Sequence, residues 1–485
     1  MATVAPLAVF VTVLLLAYGF EIFSFNLSID EEATAYFSRA ERAEGSVIEG
    51  RWAMAGLALL IPNPVAPVVS TALGVGLAGA TWWLLSRRFF GLSPWRTAAV
   101  ASVAGTFPVL AFIFSFSSIA WVVGIGHVLV LGFAQGITST RWRWRIAAVL
   151  SAAAAIAVYD TFLLVVAIVA LVLVVRTPTI RAAGLLVGAT VLSLVTSRVI
   201  GLVVSLASGN PLGTYTSQFL DLAGFAREPR ARLQSAFDDV IGTFTLSPDR
   251  FGLTSPWLAI AVVLLLIAAI AAVIRTPGTP SERVIRAAAL LAILAVPFVI
   301  ETLAFVVVFR SMIYLPILVI ALGAIASTLS WQPPVAARRP LLAGVAALAV
   351  LAVVGSATVS NRLFATAATS YAMDLQLAFQ IGQEKDRLLD GDQYAELPIV
   401  VNGLHDFSDG VFTEQHETFG LSFFDLNEDR TRLFLAAHGV RVSEATEAEE
   451  KRARREFDDM PVYPFDGWIA VKDDMLLLNF GDDDK

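Results

Sequence analysis

The chain contains no cysteine, and it has few charged residues of either sign. The lack of cysteine excludes disulfides, thiolate metal sites and cysteine nucleophiles. Charged residues make up 15% of the 485 residues, whereas soluble proteins carry roughly 25%. Apolar residues make up 57%, against roughly 45–50% in soluble proteins. This composition excludes a soluble fold for most of the chain and is typical of a membrane protein.

Several signatures of common enzyme classes are also missing. The sequence has no Walker A loop, no dinucleotide-binding fingerprint after a strand and no G-x-S-x-G nucleophile elbow. The four histidines show no metal-ligand spacing, and His127 in GIGHVL is interpreted as a helix-packing hydrogen-bond donor. We therefore expect neither a metal site nor an organic cofactor, and the net charge of −7 does not favour nucleic acid.

The charges that are present divide the chain in two. Residues 361–485 hold 12 Lys+Arg and 26 Asp+Glu, a net of −14, which leaves 22 and 15, or +7, for residues 1–360. We therefore predict a transmembrane domain over 1–360 and an acidic, water-soluble domain over 361–485.

Apolar runs of about 20 residues are the signal for transmembrane helices. About eleven such runs occur, and the fold class predicted is an all-α polytopic membrane protein. The runs lie near Pro6–Phe23, Ala66–Leu85, Ala98–Phe114, Ile119–Ile137, Ile146–Val158, Phe162–Val175, Ala182–Leu206, Pro256–Ile274, Ala287–Phe309, Met312–Leu329 and Leu341–Val359.

Arginine placement predicts the orientation of these helices. Short loops after even-numbered spans carry the arginines, for example Arg87 and Arg88, or the run Arg141, Arg143 and Arg145. Because positively charged loops stay in the cytoplasm, the N-terminus is predicted inside. An odd number of spans then places the C-terminal domain outside the cytoplasmic membrane of a bacterium.

The C-terminal domain is predicted to be a small α/β fold. Residues 362–389 have helical periodicity, and LPIVVN at 397–402 is a β-rich run bounded by proline and glycine. Two short apolar runs, 468–470 and 475–479, flank a turn and predict a hairpin. Residues 444–455 form a charged helical segment of the kind that is usually solvated.

The first outer loop, residues 25–52, holds the most informative residues. Three consecutive acids, Asp30, Glu31 and Glu32, follow the first span, and at ~100° per helical residue at most two can face one cavity. A carboxylate beside apolar walls has a raised pKa, which suits a general base. The alternative is helix capping, with Ser28 and the acids stabilising a helix N-terminus.

Other charged or aromatic residues are candidates for the same chemistry. Arg51 and Trp52 end the loop, where an arginine can bind phosphate and a tryptophan can stack on a sugar, although both are also common membrane anchors. Arg198 and Arg310 are costly cations within or at the end of spans. Asp160, Glu21 and Glu301 are the acids predicted near membrane depth.

Four segments resemble the type II serotype-converting glucosyltransferase family, the GtrII-like proteins. They are SIDEEATAYF followed by EGRWAMAGLALLIPNPVAP, then AVYDTFLLVVAIVALVL, FRSMIYLPILV, and MPVYPFDGWIAV near the C-terminus. They occur in family order over nearly the whole chain. Asp160 departs from the pattern, because the family has a glutamine there.

The resemblance implies a GT-C-type glycosyltransferase that takes a sugar, glucose in the family, from a polyprenyl-phosphate donor. The acceptor in the family is typically a surface polysaccharide, often O-antigen. A cell-wall polymer or a glycolipid is an equally admissible acceptor for this chain. The resemblance also implies that Asp30 or Glu31 is the catalytic base. Arg310 is the first candidate for the donor phosphate, followed by Arg51 and Arg198.

Contacts with the sugar or the acceptor are predicted for Glu32, Tyr36, Trp52 and Asp160. Two alternatives stay open at this point. A transporter of lipid-linked glycans would use Asp160, Glu301 and Arg198 as coupling charges. A polymerase or ligase of lipid-linked oligosaccharides would move a whole glycan in place of one sugar.

Overall fold

The structure is a computed structural model that describes residues 4–24, 26–61, 66, 68–212, 222–244, 254–303, 308–328, 335–390, 395–405 and 416–481. These residues form two units. The first comprises residues 4–23, 39–61 and 66–362, and the second comprises residues 24–38 and 363–481. The predicted boundary at 360/361 thus lies close to the division at 362/363.

The described residues of the first unit form helices joined by loops, and none of them forms a strand. Its helices are Val4–Phe23, Arg39–Ile48, Trp52–Leu60, Val69–Leu84, Pro94–Gly105, Ala111–Phe114, Ser117–Ile137, Trp142–Val158, Phe162–Arg176, Ile180–Ser208, Leu222–Arg227, Pro229–Phe244, Pro256–Arg275, Pro280–Leu303 and Tyr314–Ala326. Short turns of other helical types cover Leu85–Phe89, Pro108–Leu110 and Phe309–Ser311. The helix Val335–Leu388, called the long helix below, contributes residues to both units.

The predicted count of about eleven spans is not confirmed. Six of the described helices are long and apolar enough to cross a membrane, or seven if the bent pair Pro94–Gly105 and Pro108–Phe114 is one span. Phe162–Arg176 and Tyr314–Ala326 are apolar but shorter. At 1.5 Å per residue they reach only about 20 Å, less than the ~30 Å of a bilayer core.

The helix Ile180–Ser208 shows why this unit belongs in lipid. Only 22% of its most apolar window is buried inside the protein, and its exposed side chains include Val187, Val191, Val195 and Val199. Exposed apolar surface of this extent is unfavourable in water. A bilayer covers such a surface without cost, and the helix is therefore suited to a lipid environment.

Small residues allow helices of this unit to approach closely, as is common in membrane proteins. A Cβ atom added to Gly74 would lie 2.3 Å from the carbonyl oxygen of Ala120 on the neighbouring helix. His127 packs edge-on against the rings of Trp82 and Phe162, and its Nδ1 lies 2.9 Å from the Val123 carbonyl oxygen. His127 is thus a buried residue whose ring takes part in helix packing.

The second unit contains the small sheet that the sequence predicted. Its strands are β1 (Leu397–Asn402), β2 (Val442–Glu444), β3 (Ile469–Lys472) and β4 (Met475–Asn479), in the spatial order β2-β1-β4-β3. β1 pairs in parallel with β2 and β4, and β3 pairs antiparallel with β4. The predicted strand and hairpin are both confirmed. Asp473 and Asp474 have φ of 48° and 58°, the left-handed backbone that a two-residue hairpin turn requires.

Helices pack on this sheet, and part of the first outer loop packs with them. They are the C-terminal part of the long helix, Glu428–Ala437 and Glu447–Phe457. The last begins with a capping box between Thr446 and Glu449. The short helix Glu31–Tyr36 packs against Glu428–Ala437. Leu27 and Ile29 join the apolar core of the unit, beside Phe434 of the helix Glu428–Ala437.

The outer loop predicted over 25–52 is therefore divided. Residues 24–38 group with the second unit and residues 39–61 with the first. Phe25, its first residue, lies outside the described residues. The reason for the division is apolar burial, because Leu27 and Ile29 have core positions in the second unit.

Candidate active site

The acidic triplet, Asp30, Glu31 and Glu32, lies where the chain turns into a short helix, Glu31–Tyr36. Glu31 is fully buried, and its Oε2 accepts a hydrogen bond from the backbone N–H of Ser28 at 3.1 Å. The backbone N–H of Glu31 in turn donates to the Ser28 carbonyl oxygen at 2.9 Å, so Glu31 stabilises the turn that precedes the helix. The helix itself begins after Asp30 without a side-chain capping hydrogen bond.

Asp30 has a different environment. Its backbone is left-handed, with φ 84°, a conformation that costs energy for most residues but is tolerated by aspartate. Its side chain makes no capping hydrogen bond with the helix. Instead its Oδ1 forms an ion pair with Nη2 of Arg430, and 40% of the side chain stays exposed. Asp30 is thus the member of the triplet that solvent or an acceptor hydroxyl can reach most readily.

Glu32 pairs with the same arginine. Its Oε1 lies 2.6 Å from Nη1 of Arg430, and only 1% of its side chain is exposed. Among the described residues, its Oε2 has no hydrogen-bond partner. Burial raises the pKa of Glu32 to about 7, and the nearby Arg430 guanidinium limits that rise.

Arg430 is fixed by the helix Glu428–Ala437. The side chain of Asn427 caps this helix by accepting a hydrogen bond from the Arg430 backbone N–H at 2.9 Å. Phe434, one turn further on, is fully buried in the same core as Leu27 and Ile29. Apolar contacts on both segments therefore bring the arginine and the acids together.

Sequence reasoning did not identify Arg430, and no local signal marked it. It lies in NEDRTR, an alternation of charges that is typical of a solvated helix. Its two partners are 400 and 398 residues earlier in the chain.

A second group of predicted residues comes together within the first unit. This cationic cluster consists of Arg51, Trp52, Tyr159, Asp160 and Arg198. Arg51 precedes the helix Trp52–Leu60, pairs with Glu49 at 2.7 Å and lies with its guanidinium carbon 5.3 Å from the centre of the Tyr159 ring. The next residue along from Tyr159 is Asp160, which pairs with Arg198 at 2.8 Å.

Trp52 connects the same segments. Its indole Nε1–H donates a hydrogen bond to the Ser197 carbonyl oxygen at 3.2 Å, next to Arg198 in the chain. A Cβ atom added to Gly50 would lie 3.8 Å from Nη1 of Arg198. The end of the first outer loop, the turn after Trp142–Val158 and the helix Ile180–Ser208 thus meet around two guanidinium groups.

Each arginine of the cationic cluster has a carboxylate partner, which limits its mobility and orients its planar fork. A guanidinium carries five N–H donors, so one carboxylate leaves further donors for phosphate oxygens. The Asp160–Arg198 pair is partly open, with 48% of the arginine side chain and 28% of the aspartate side chain exposed. This arrangement can bind an anion without burying an isolated charge.

The remaining predicted residues have their own surroundings. Arg310 lies in the turn Phe309–Ser311, and its guanidinium carbon is 5.3 Å from the centre of the Phe116 ring. Arg51 contacts a different ring, that of Tyr159. Tyr36 ends the short acidic helix, where its largely exposed ring meets that of Phe37 edge-on. An exposed aromatic surface of this kind suits contact with a sugar ring.

The comparison with known families agrees with the resemblance seen in the sequence. Residues 19–207 match the family model described as "Glucosyl transferase GtrII". The match confirms the resemblance to this family over that segment and supports the broad class of membrane glycosyltransferase. No curated protein and no solved structure matches the chain.

The matched segment contains the acidic triplet and the whole cationic cluster. Arg310 and Arg430 lie beyond it.

Proposed function

We propose that the protein transfers one sugar, glucose in the first instance, from a polyprenyl-phosphate donor to a glycan of the cell envelope. The reaction would take place on the outer face of a bacterial cytoplasmic membrane. The observation that carries this proposal is the match to the glucosyl transferase family over a segment that holds both the acidic triplet and the cationic cluster. The apolar helices suit a donor whose long hydrocarbon chain stays in lipid.

The proposed chemistry is a single displacement at the anomeric carbon of the donor sugar. The oxygen of an acceptor hydroxyl forms the new glycosidic bond as the bond between the anomeric carbon and the phosphate oxygen breaks. The hydroxyl proton passes to a carboxylate, and polyprenyl phosphate leaves with the bonding electrons. Attack opposite the leaving group inverts the anomeric configuration.

Asp30 is our first candidate for the carboxylate that accepts this proton, because a base has to reach the hydroxyl. Its exposed side chain supports this choice. Glu31, the second candidate from the sequence, is fully buried and bonds to Ser28. Glu32 is buried and forms an ion pair with Arg430, the arginine that also pairs with Asp30. We assign it a supporting role beside the base.

The departing phosphate needs donors that stabilise its growing negative charge. Arg310, Arg51 and Arg198 are the proposed donors. The paired, oriented guanidinium groups of the cationic cluster support the roles of Arg51 and Arg198, and Asp160 holds Arg198 in place. Trp52 and Tyr36 are the aromatic side chains proposed to contact the sugar or the acceptor.

The protein in nanodiscs, supplied with a synthetic polyprenyl-phosphate glucose and a defined envelope glycan, tests this function. Mass spectrometry of the acceptor should show a gain of one hexose, dependent on the lipid donor. Addition of a whole oligosaccharide from a lipid-linked oligosaccharide would instead indicate a polymerase or ligase. Movement of the lipid-linked substrate across a sealed vesicle without any transfer would indicate a transporter. Either of these last two results would refute the proposal.

A further inference from the structure

The starting observation is that one arginine binds two acids of the triplet. Arg430 pairs through Nη2 with Asp30 and through Nη1 with Glu32, so its planar fork fixes the two carboxylates relative to each other. A lysine has a single ammonium group and cannot reproduce this two-point contact.

The backbone around the acids is arranged so that this contact can form. Asp30 has left-handed φ and precedes the helix, while Glu32 belongs to its first turn. With both residues in a regular helix, their side chains would diverge by about 200°. The strained residue is flanked by Ile29, and Leu27 lies nearby, both buried in the core that also holds Phe434 of the arginine's helix. Strained backbone maintained by surrounding packing is often found at functional positions.

We propose that Arg430 is a positioning residue for the transfer reaction, which holds the Asp30 carboxylate in the orientation that accepts the acceptor's proton. The inference rests on the proposed function, in which Asp30 is the base. It gives residues 363–481 of the second unit a part in catalysis through one side chain that itself touches neither the sugar nor the phosphate.

Charge explains why such a residue is needed. Burial raises the pKa of Glu32 to about 7, and the nearby charge of Asp30 adds to that rise. Arg430 is the cation that opposes both effects. Among the described residues, Tyr371 of the long helix also lies near the triplet: burial and the charge of Asp374 raise its pKa to about 12, and the charge of Glu31 adds to this rise. Without Arg430, the pKa of Glu32 would rise further and the Asp30 carboxylate would lose the cation that orients it.

The test compares Arg430→Gln and Arg430→Lys with a matched control, Arg432→Gln, in the full-length protein in nanodiscs. Arg432 lies on the same helix, is partly buried and pairs with Asp429 of that helix. We expect Arg430→Gln to lower kcat about 10- to 100-fold, less than the roughly 10²- to 10⁴-fold loss expected when the base itself is removed. Its donor KM should change less than about threefold, since Arg430 does not contact the donor, and its acidic limb in the pH–rate profile should move to higher pH.

Arg430→Lys should recover part of kcat and most of the pH profile, because it keeps the charge but loses the fork. Arg432→Gln should stay within about twofold of the parent. If Arg430→Gln does not fold, the Lys variant decides: a kcat and pH profile equal to those of the parent would overturn the inference.

The result can be separated from a failure of the proposed base. If Asp30→Asn transfers sugar at the parental rate, then Asp30 is not the base, and both the base and its positioning residue are refuted. If Asp30→Asn abolishes transfer while folded Arg430→Gln keeps the parental kcat and pH profile, only the inference about Arg430 is wrong.

Discussion

The acidic triplet and the cationic cluster are assembled by different kinds of contact. In the second unit, two acids from one short segment share a partner about 400 residues later in the chain. In the first unit, each arginine has its own carboxylate, and Arg51 finds it only two residues away. A shared partner fixes the Asp30 and Glu32 carboxylates relative to each other, whereas separate partners let each arginine act independently. The two regions should therefore respond differently to substitution.

Asp30→Asn should have the largest effect. Removal of a general base typically costs about 10²- to 10⁴-fold in rate, and asparagine has nearly the same shape and tolerates left-handed backbone. We expect sugar transfer to fall by that amount while donor binding and the thermal unfolding midpoint change little. Transfer by folded Asp30→Asn within about threefold of the parent would exclude Asp30 as the base.

The arginine donors come next in expected size. Loss of a charge-assisted hydrogen bond costs about 1.5–3 kcal/mol, so Arg310→Ala and Arg198→Ala should each weaken donor binding about 10- to 100-fold. Arg310→Lys should restore only part of it, because a point charge lacks the fork.

Donor affinity in these variants can be measured by titration of a fluorescent polyprenyl-phosphate sugar into nanodiscs. Arg96→Ala, an exposed arginine at the start of Pro94–Gly105, is the control. Parental affinity in Arg310→Ala would leave Arg51 and Arg198 as the phosphate-binding candidates. Effects that multiply in the Arg198→Ala, Arg310→Ala double variant would support independent action.

Glu32 should give the second unit a distinctive dependence on pH. Its folded-state pKa of about 7 lies above its ordinary value of 4.5, so the folded state holds the proton more tightly than the unfolded state. Its contribution to stability is then greatest at low pH and is lost as pH rises from about 4.5 to about 7.

The effect of Glu32 on stability can be checked by measuring the thermal unfolding midpoint of the full-length protein at several pH values in this range. Glu32→Gln should remove part of the decline, whereas Glu444→Gln, at an exposed strand end, should not. An identical pH dependence in Glu32→Gln and the parent would contradict the assigned environment.

The smallest effect is expected at Glu31. Glutamine can accept the same hydrogen bond from the Ser28 backbone N–H, so Glu31→Gln should change stability by less than about 0.5 kcal/mol, whereas Glu31→Ala should lose about 0.5–1.5 kcal/mol. Transfer by both folded variants should remain near the parental rate. A loss of transfer in Glu31→Gln that matched the loss in Asp30→Asn would return Glu31 to the role of base. Rate and unfolding midpoint, measured on the same preparations, separate these outcomes.

The sequence by itself determined the features that depend on composition and short-range pattern. Apolar runs predicted the helical membrane unit, since lipid accepts only helices that satisfy their own backbone hydrogen bonds. The β-rich run LPIVVN and the apolar runs that flank the turn near the C-terminus predicted three of the four strands of the small sheet. The motifs around Asp30, Arg51 and Asp160 also resemble a glucosyl transferase family, and the family model matches the segment 19–207 that contains them.

Only the tertiary structure decided how those residues are paired. Consecutive acids look alike in a sequence, and their separate environments come from the left-handed turn at Asp30 and from the burial of Leu27 and Ile29. The number of spans also depended on where helices end, which average hydropathy does not specify. Arg430 carries no local signal, because an ion pair depends on distance in space, and the apolar core that brings it to Asp30 and Glu32 forms only when the chain folds.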